Sequence, residues 1–68
     1  MATVKIIELM GTSKTSWEDA VKSAVKAATK TLDQVVGVDV VGWTAKVDPD
    51  GQLAEYHANC KVAFVVKD

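Results

Sequence analysis

The sequence predicts an α+β fold in the order β-α-β-β. Three observations carry this expectation. One segment repeats apolar residues at helical spacing, the segments around it are rich in β-branched residues, and an Asp-Pro-Asp-Gly turn separates the last two of those. The 68 residues amount to one domain, 1–68.

Residues 3–10, TVKIIELM, read as the first strand, and Gly11-Thr12-Ser13-Lys14 as a loop. Thr15 with Glu18 fits a capping box and Ser16 with Asp19 is its near relative, so a helix starts here with two acids at the positive end of its dipole. Trp17, Ala20, Val21, Ala24, Val25, Ala28 and Leu32 form one apolar stripe that carries the helix to about Asp33. Its alanines let the helix lie close to whatever it covers. Val35–Val47 reads as the second strand. In the turn that follows, Pro49 fixes φ, Asp48 and Asp50 accept local hydrogen bonds and Gly51 supplies positive φ. Gln52–Val66 reads as the third strand, with Ala54, Tyr56, Ala58, Cys60, Val62, Phe64 and Val66 on one face and Glu55, His57, Asn59 and Lys61 on the other; one face meets the helix.

A chain this short supplies roughly 3–5 kcal/mol from its own core and usually needs a staple. Cys60 is the only cysteine, so no disulfide forms within the chain. A structural zinc takes four ligands, and His57 and Cys60 are the only soft ones. Partner copies of the chain are the remaining common staple. Eight basic residues against nine acidic ones, without a basic patch, argue against nucleic acid as a partner. Apolar runs are too short to span a membrane or to form a signal peptide, and a lone cysteine suits a reducing compartment; a cytoplasmic location is expected.

Two features of the strands point to a homo-oligomer. A third strand of about fifteen residues extends roughly 50 Å, while a compact domain of this size is about 28 Å across. The hairpin must curl, project onto a neighbour, or both, and Gly37 and Gly42 permit bends or bulges. The second strand is also apolar on both sides under simple alternation: Val36, Val38 and Val40 on one, Val35, Val41, Trp43 and Val47 on the other. One helix covers one side only. Pairing Val47 with Gln52 sets Trp43 against Tyr56 and Gly42 against His57, and places Val38 and Val40 with Lys61 and Asn59; a single bulge would swap these faces.

No set of side chains converges on catalysis. Ser13, Ser16 and Ser23 lie around the helix, and His57 lies on a distant strand with no acid partner evident, so no enzyme is expected. His57 is either a hydrogen-bonding or pH-sensitive group in a pocket between subunits or, the plainer reading, a solvated residue on a polar face. Cys60 reads as an inert core thiol. Asp48 and Asp50 resemble the start of a calcium loop, but Pro49 intervenes and no later glutamate completes one. The segment before the helix lacks the pattern of a phosphate loop. Trp17 reads as core, and Trp43 as a core or subunit contact or as a platform for an aromatic ligand.

The opening strand, the GTSKTSWEDA run into the helix, Thr31-Leu32-Asp33 before the second strand, the Asp50-Gly51 turn and the closing KVAFVV strand resemble the dodecins. The resemblance covers nearly the whole chain through order, spacing and length rather than through one strong motif. It implies a three-stranded antiparallel sheet curled around one amphipathic helix. It further implies a hollow homododecamer of twelve subunits that binds or stores a small ligand without catalysis. The ligand is a flavin in many members, stacked on a tryptophan of the second strand and hydrogen-bonded by a glutamine of the third. Aligned on Thr31-Leu32-Asp33 and Val62-Ala63-Phe64, Gly37 takes the tryptophan position and His57 the glutamine position. Losing such a stack removes about 1–3 kcal/mol, roughly ten- to a hundred-fold in affinity. The usual flavin sandwich is therefore not expected, and the residues leave the ligand unnamed, with Gly37 and His57 as its pocket positions and Trp43 as a further aromatic contact. A weak flavin (riboflavin or FMN) binder, or a cation-binding or purely structural shell, is the alternative.

Overall fold

The computed structural model describes residues 3–66. Its elements are β1 (Thr3–Ser13), α1 (Trp17–Thr31), β2 (Val35–Val47) and β3 (Leu53–Val66). The sheet has the order β1-β3-β2, with β3 antiparallel to both neighbours. β1 and β2 therefore run parallel with a gap between them. Parallel strands need a crossover, which α1 provides, and the β2–β3 hairpin then fills the gap.

Ser16 caps the helix by accepting a hydrogen bond from the Asp19 backbone N–H at 3.0 Å. Ser13 supports this corner: its hydroxyl donates to Asp19 Oδ2 at 2.8 Å and accepts from the Thr15 N–H at 3.0 Å. The helix ends at Thr31, two residues before the expected limit, where the Leu32 N–H still reaches the Ala28 carbonyl. Gln34 then turns the chain at φ 55°, and its carbonyl oxygen accepts from the Val65 N–H at 3.1 Å.

β1 runs three residues further than the sequence suggests, because Gly11 is a site of close approach and not a turn. Gly11, Thr12 and Ser13 pair with Ala58, His57 and Tyr56 of β3. An added Cβ on Gly11 would lie 1.8 Å from the Ala20 carbonyl oxygen and 3.0 Å from the Ala24 Cβ. The helix thus rests on bare backbone, and its alanine stripe meets the sheet directly. Ala20, Ala24 and Ala28 form the core with Ala58, Cys60 and Val62, flanked by Ile7, Leu9, Val21, Leu32, Val35 and Val40.

The hairpin register differs from simple alternation. Val47 pairs with Leu53, Thr44 with His57, Trp43 with Ala58 and Gly42 with Asn59, so Trp43 does not oppose Tyr56, nor Gly42 His57. Val38 and Val40 pair with Val62 and Cys60, on the helix side, and not with Lys61 and Asn59. The cause is three register shifts. Val36 and Val41 are extra residues in β2, each directly before a glycine (Gly37 and Gly42), and Ala54 is extra in β3. In the turn, Asp48 Oδ1 accepts from the Asp50 and Gln52 N–H groups at 3.0 Å, and Gly51 takes φ 82°.

The chain measures 52 × 19 × 13 Å with a radius of gyration of 13.9 Å, against about 11 Å for a compact domain of this length. The fifteen-residue helix spans only about 22 Å of that length. The hairpin end therefore projects past its cover.

Candidate functional site

The face of the sheet turned away from the helix is laid out by the pairing. β1 contributes Val4, Ile6, Glu8, Met10 and Thr12; their partners on β3 are Val65, Ala63, Lys61, Asn59 and His57. Among the described residues, nothing covers this face. Val4 is 50% exposed, Ile6 58%, Met10 57%, Val36 62% and Val41 58%. Such a set of large apolar side chains is costly in water and marks an interaction surface.

Polar groups divide the face. Across its middle, Glu8 and Asp39 flank Lys61 from the two neighbouring strands. Next to this rung, Met10, Val41 and Asn59 help to line an open depression of ≈ 230 Å³. Further toward the turn sits His57, between Thr12 of β1 and Thr44 of β2. His57 does have an acid partner: its Nε2 lies 2.8 Å from Glu55 Oε1. The signal was present in the sequence, because residues two apart on a strand share a face. With the hydroxyl residues Thr12 and Thr44 on either side, this pair suits hydrogen bonding.

The structure does not bring Gly37 and His57 together within one chain. Gly37 pairs with Ala63 and His57 with Thr44, six residues apart along β3, which is about 20 Å. A Cβ on Gly37 would meet nothing within 4 Å, so the space there is open. A pocket using both positions would have to be closed by other copies.

Trp43 lies on the opposite, helix-side face, and belongs to an aromatic cluster that the sequence did not assemble. The Trp17 ring stands edge-on to Tyr56 (centroids 4.8 Å apart) and to Trp43 (6.4 Å). Trp17 Nε1 donates to the Thr44 carbonyl at 2.9 Å, which pins the start of the helix to β2. Trp17 is half-buried rather than core, and Trp43 is 53% exposed.

Among the described residues no three His, Cys, Asp or Glu side chains gather as a cation would require, and no helix is long and apolar enough to cross a membrane. The Asp48 carboxylate is engaged by its own turn. Burial pushes the Cys60 thiol above its usual range, as befits an unreactive core residue.

Comparison with known proteins places this arrangement. The sequence model of the Dodecin family matches residues 3–67. A calcium dodecin from Mycobacterium tuberculosis is 33% identical over 67 residues, covering 98% of this chain and 93% of the relative. A crystal structure of a calcium dodecin from that organism, with a novel calcium-binding site, superposes with a TM-score of 0.83 at 32% identity, covering 96% of this chain and 91% of the other. The tt0972 protein from Thermus thermophilus (28% identity, 100% of this chain and 98% of the other) and a dodecin from Streptomyces coelicolor (28%, 98% and 94%) both superpose with a TM-score of 0.93. A β-α-β-β chain whose sheet curls over one alanine-faced helix, matched along almost its whole length in sequence and in fold, belongs to the dodecin family.

Proposed function

We propose that this dodecin is one subunit of a hollow homododecamer that binds, stores or buffers a small ligand and catalyses no reaction. The observation that carries the reading is the uncovered sheet face with Val4, Ile6, Met10, Val36 and Val41. Burying each such side chain contributes about 1.5–3 kcal/mol, comparable with the whole stability expected of so small a core. The projecting hairpin extends the same surface. Closed point-group assembly turns one self-complementary face into a shell without leaving open edges. Sedimentation equilibrium tests the reading: twelve copies of a 7.3 kDa chain give a mass of about 88 kDa.

Within that shell, Gly37 and His57 face ligand space between subunits. With no indole at position 37, a flavin loses its stacking partner and binds weakly. Titration of riboflavin or FMN, read by quenching of flavin fluorescence, decides this. Quenching at micromolar protein would mean that another group has taken over the stack.

A cation-binding shell is the second reading, favoured by the 33% identity with a calcium dodecin. No single chain gathers three ligating side chains among the described residues, so such a site would draw on several copies. Native mass spectrometry before and after chelation separates this from an empty shell.

A further inference from the structure

The corner made by Trp17 and Trp43 is rigid, apolar and left open by the fold. Trp17 is the first residue of α1, and its indole N–H is held by the Thr44 carbonyl, one residue beyond Trp43. Tyr56 packs against the Trp17 ring edge-on at an interplanar angle of 73°. The Trp17 ring is therefore fixed in position and has no free donor. Trp43 stands at 84° to it and keeps more than half of its surface in water. The two indoles alone line a cleft of ≈ 340 Å³, at the small end of the range for organic ligands.

We propose that this corner binds a flat, uncharged, fused-ring aromatic molecule, with its plane on the exposed indole of Trp43 and one edge toward Trp17. The chemistry of the walls selects that class. Two rings at right angles offer a floor for stacking and a wall for edge contact, the two favoured aromatic geometries. A charged or strongly hydrogen-bonding molecule would give up hydration without finding a partner there. A quaternary ammonium is the natural competitor at an aromatic corner. On an open, two-walled site it gains only about two- to five-fold in affinity, whereas a stacked ring gains about ten- to a hundred-fold. The site is separate from Gly37 and His57: Trp43 pairs with Ala58 on the helix side, while His57 faces the other way. The inference rests on the ligand-binding reading above and locates a ligand within it.

The test uses acridone, a neutral fluorescent tricycle, titrated into the assembled protein and read by its own anisotropy. Binding is expected in the unsubstituted protein. It should weaken at least ten-fold in Trp43→Ala, change no more than a few-fold in Trp43→Phe, and stay unchanged in Lys26→Ala on the exposed side of the helix. In the unsubstituted protein the indole Nε1–H resonances of both tryptophans should shift on addition of acridone, a readout that needs no variant to fold. Equal binding to the unsubstituted protein and Trp43→Ala overturns the inference but leaves a ligand-binding shell standing. Displacement of acridone by equimolar tetramethylammonium overturns the choice of ligand class. No binding, with Trp43→Ala dissociating the assembly, overturns the site altogether and assigns the corner to a second copy of the chain.

Discussion

Gly11 and Gly37 make a matched pair for testing how the helix is seated, because both lie in strands and neither adopts positive φ. A methyl group at Gly11 would stand 1.8 Å from the Ala20 carbonyl oxygen, a backbone atom that cannot rotate away. Relief requires the helix to retreat by more than an ångström, opening the contact at Ala20 and Ala24, which are 0% and 3% exposed. Overpacking usually costs about 1–3 kcal/mol, and a backbone clash belongs at or above the top of that range. A loss of about 3 kcal/mol would remove most of what a single core of this size supplies. At Gly37 the same methyl meets nothing, and reducing the freedom of the unfolded chain contributes about 0.4–1 kcal/mol of stability. Urea titrations at one fixed protein concentration, followed by circular dichroism, report both differences as shifts in midpoint. Gly11→Ala should unfold at much lower urea or fail to fold, and Gly37→Ala should match or exceed the unsubstituted protein. If the two variants shift alike, the close helix seat is wrong.

Three other outcomes follow from the same geometry. Ile6→Asp places a carboxylate on the uncovered face at a residue 58% exposed in the single chain; if copies bury it, each pays several kcal/mol of desolvation, and size-exclusion chromatography should show smaller species with the helix signal retained. Burial raises the Cys60 thiol above its ordinary range, so the unfolded chain gives up this proton at lower pH than the folded chain. The thiol's contribution is therefore complete below the ordinary thiol value and lost as pH rises from there through the folded value; urea midpoints should fall more steeply above about pH 8.5 in the unsubstituted protein than in Cys60→Ala, and equal slopes would contradict this. Finally, Gly37→Trp with His57→Gln should strengthen riboflavin quenching by about ten- to a hundred-fold, since the space at Gly37 is open within the chain; unchanged quenching would mean that a neighbouring copy fills it.

Much of this was legible in the residues, and what was not has identifiable causes. Periodicity and the Ser16 cap located α1, and the Asp48–Gly51 turn fixed the hairpin, because each is a local signal. Gly11 looked like a loop residue because the reason for a glycine there, a helix carbonyl from nine residues on, is tertiary. Strict alternation misassigned Val38 and Val40 because two bulges reset the faces of β2; the glycines that permit bulges were visible, but not which residue each would displace. The early helix end was hidden too, since Gln34 adopts positive φ where a glycine would have announced the turn. Of the site, His57 is the lone histidine of the sequence, and Glu55, two residues away on the same strand face, is its partner. The meeting of Trp17, Trp43 and Tyr56 depended on packing three elements, which spacing along the chain does not encode.

Burial of the apolar sheet face by other copies of the chain is tested by sedimentation equilibrium of the purified protein at micromolar concentration. A single species of about 88 kDa, twelve times the 7.3 kDa chain, is expected. A mass close to that of one chain, with the fold intact by circular dichroism, would contradict it.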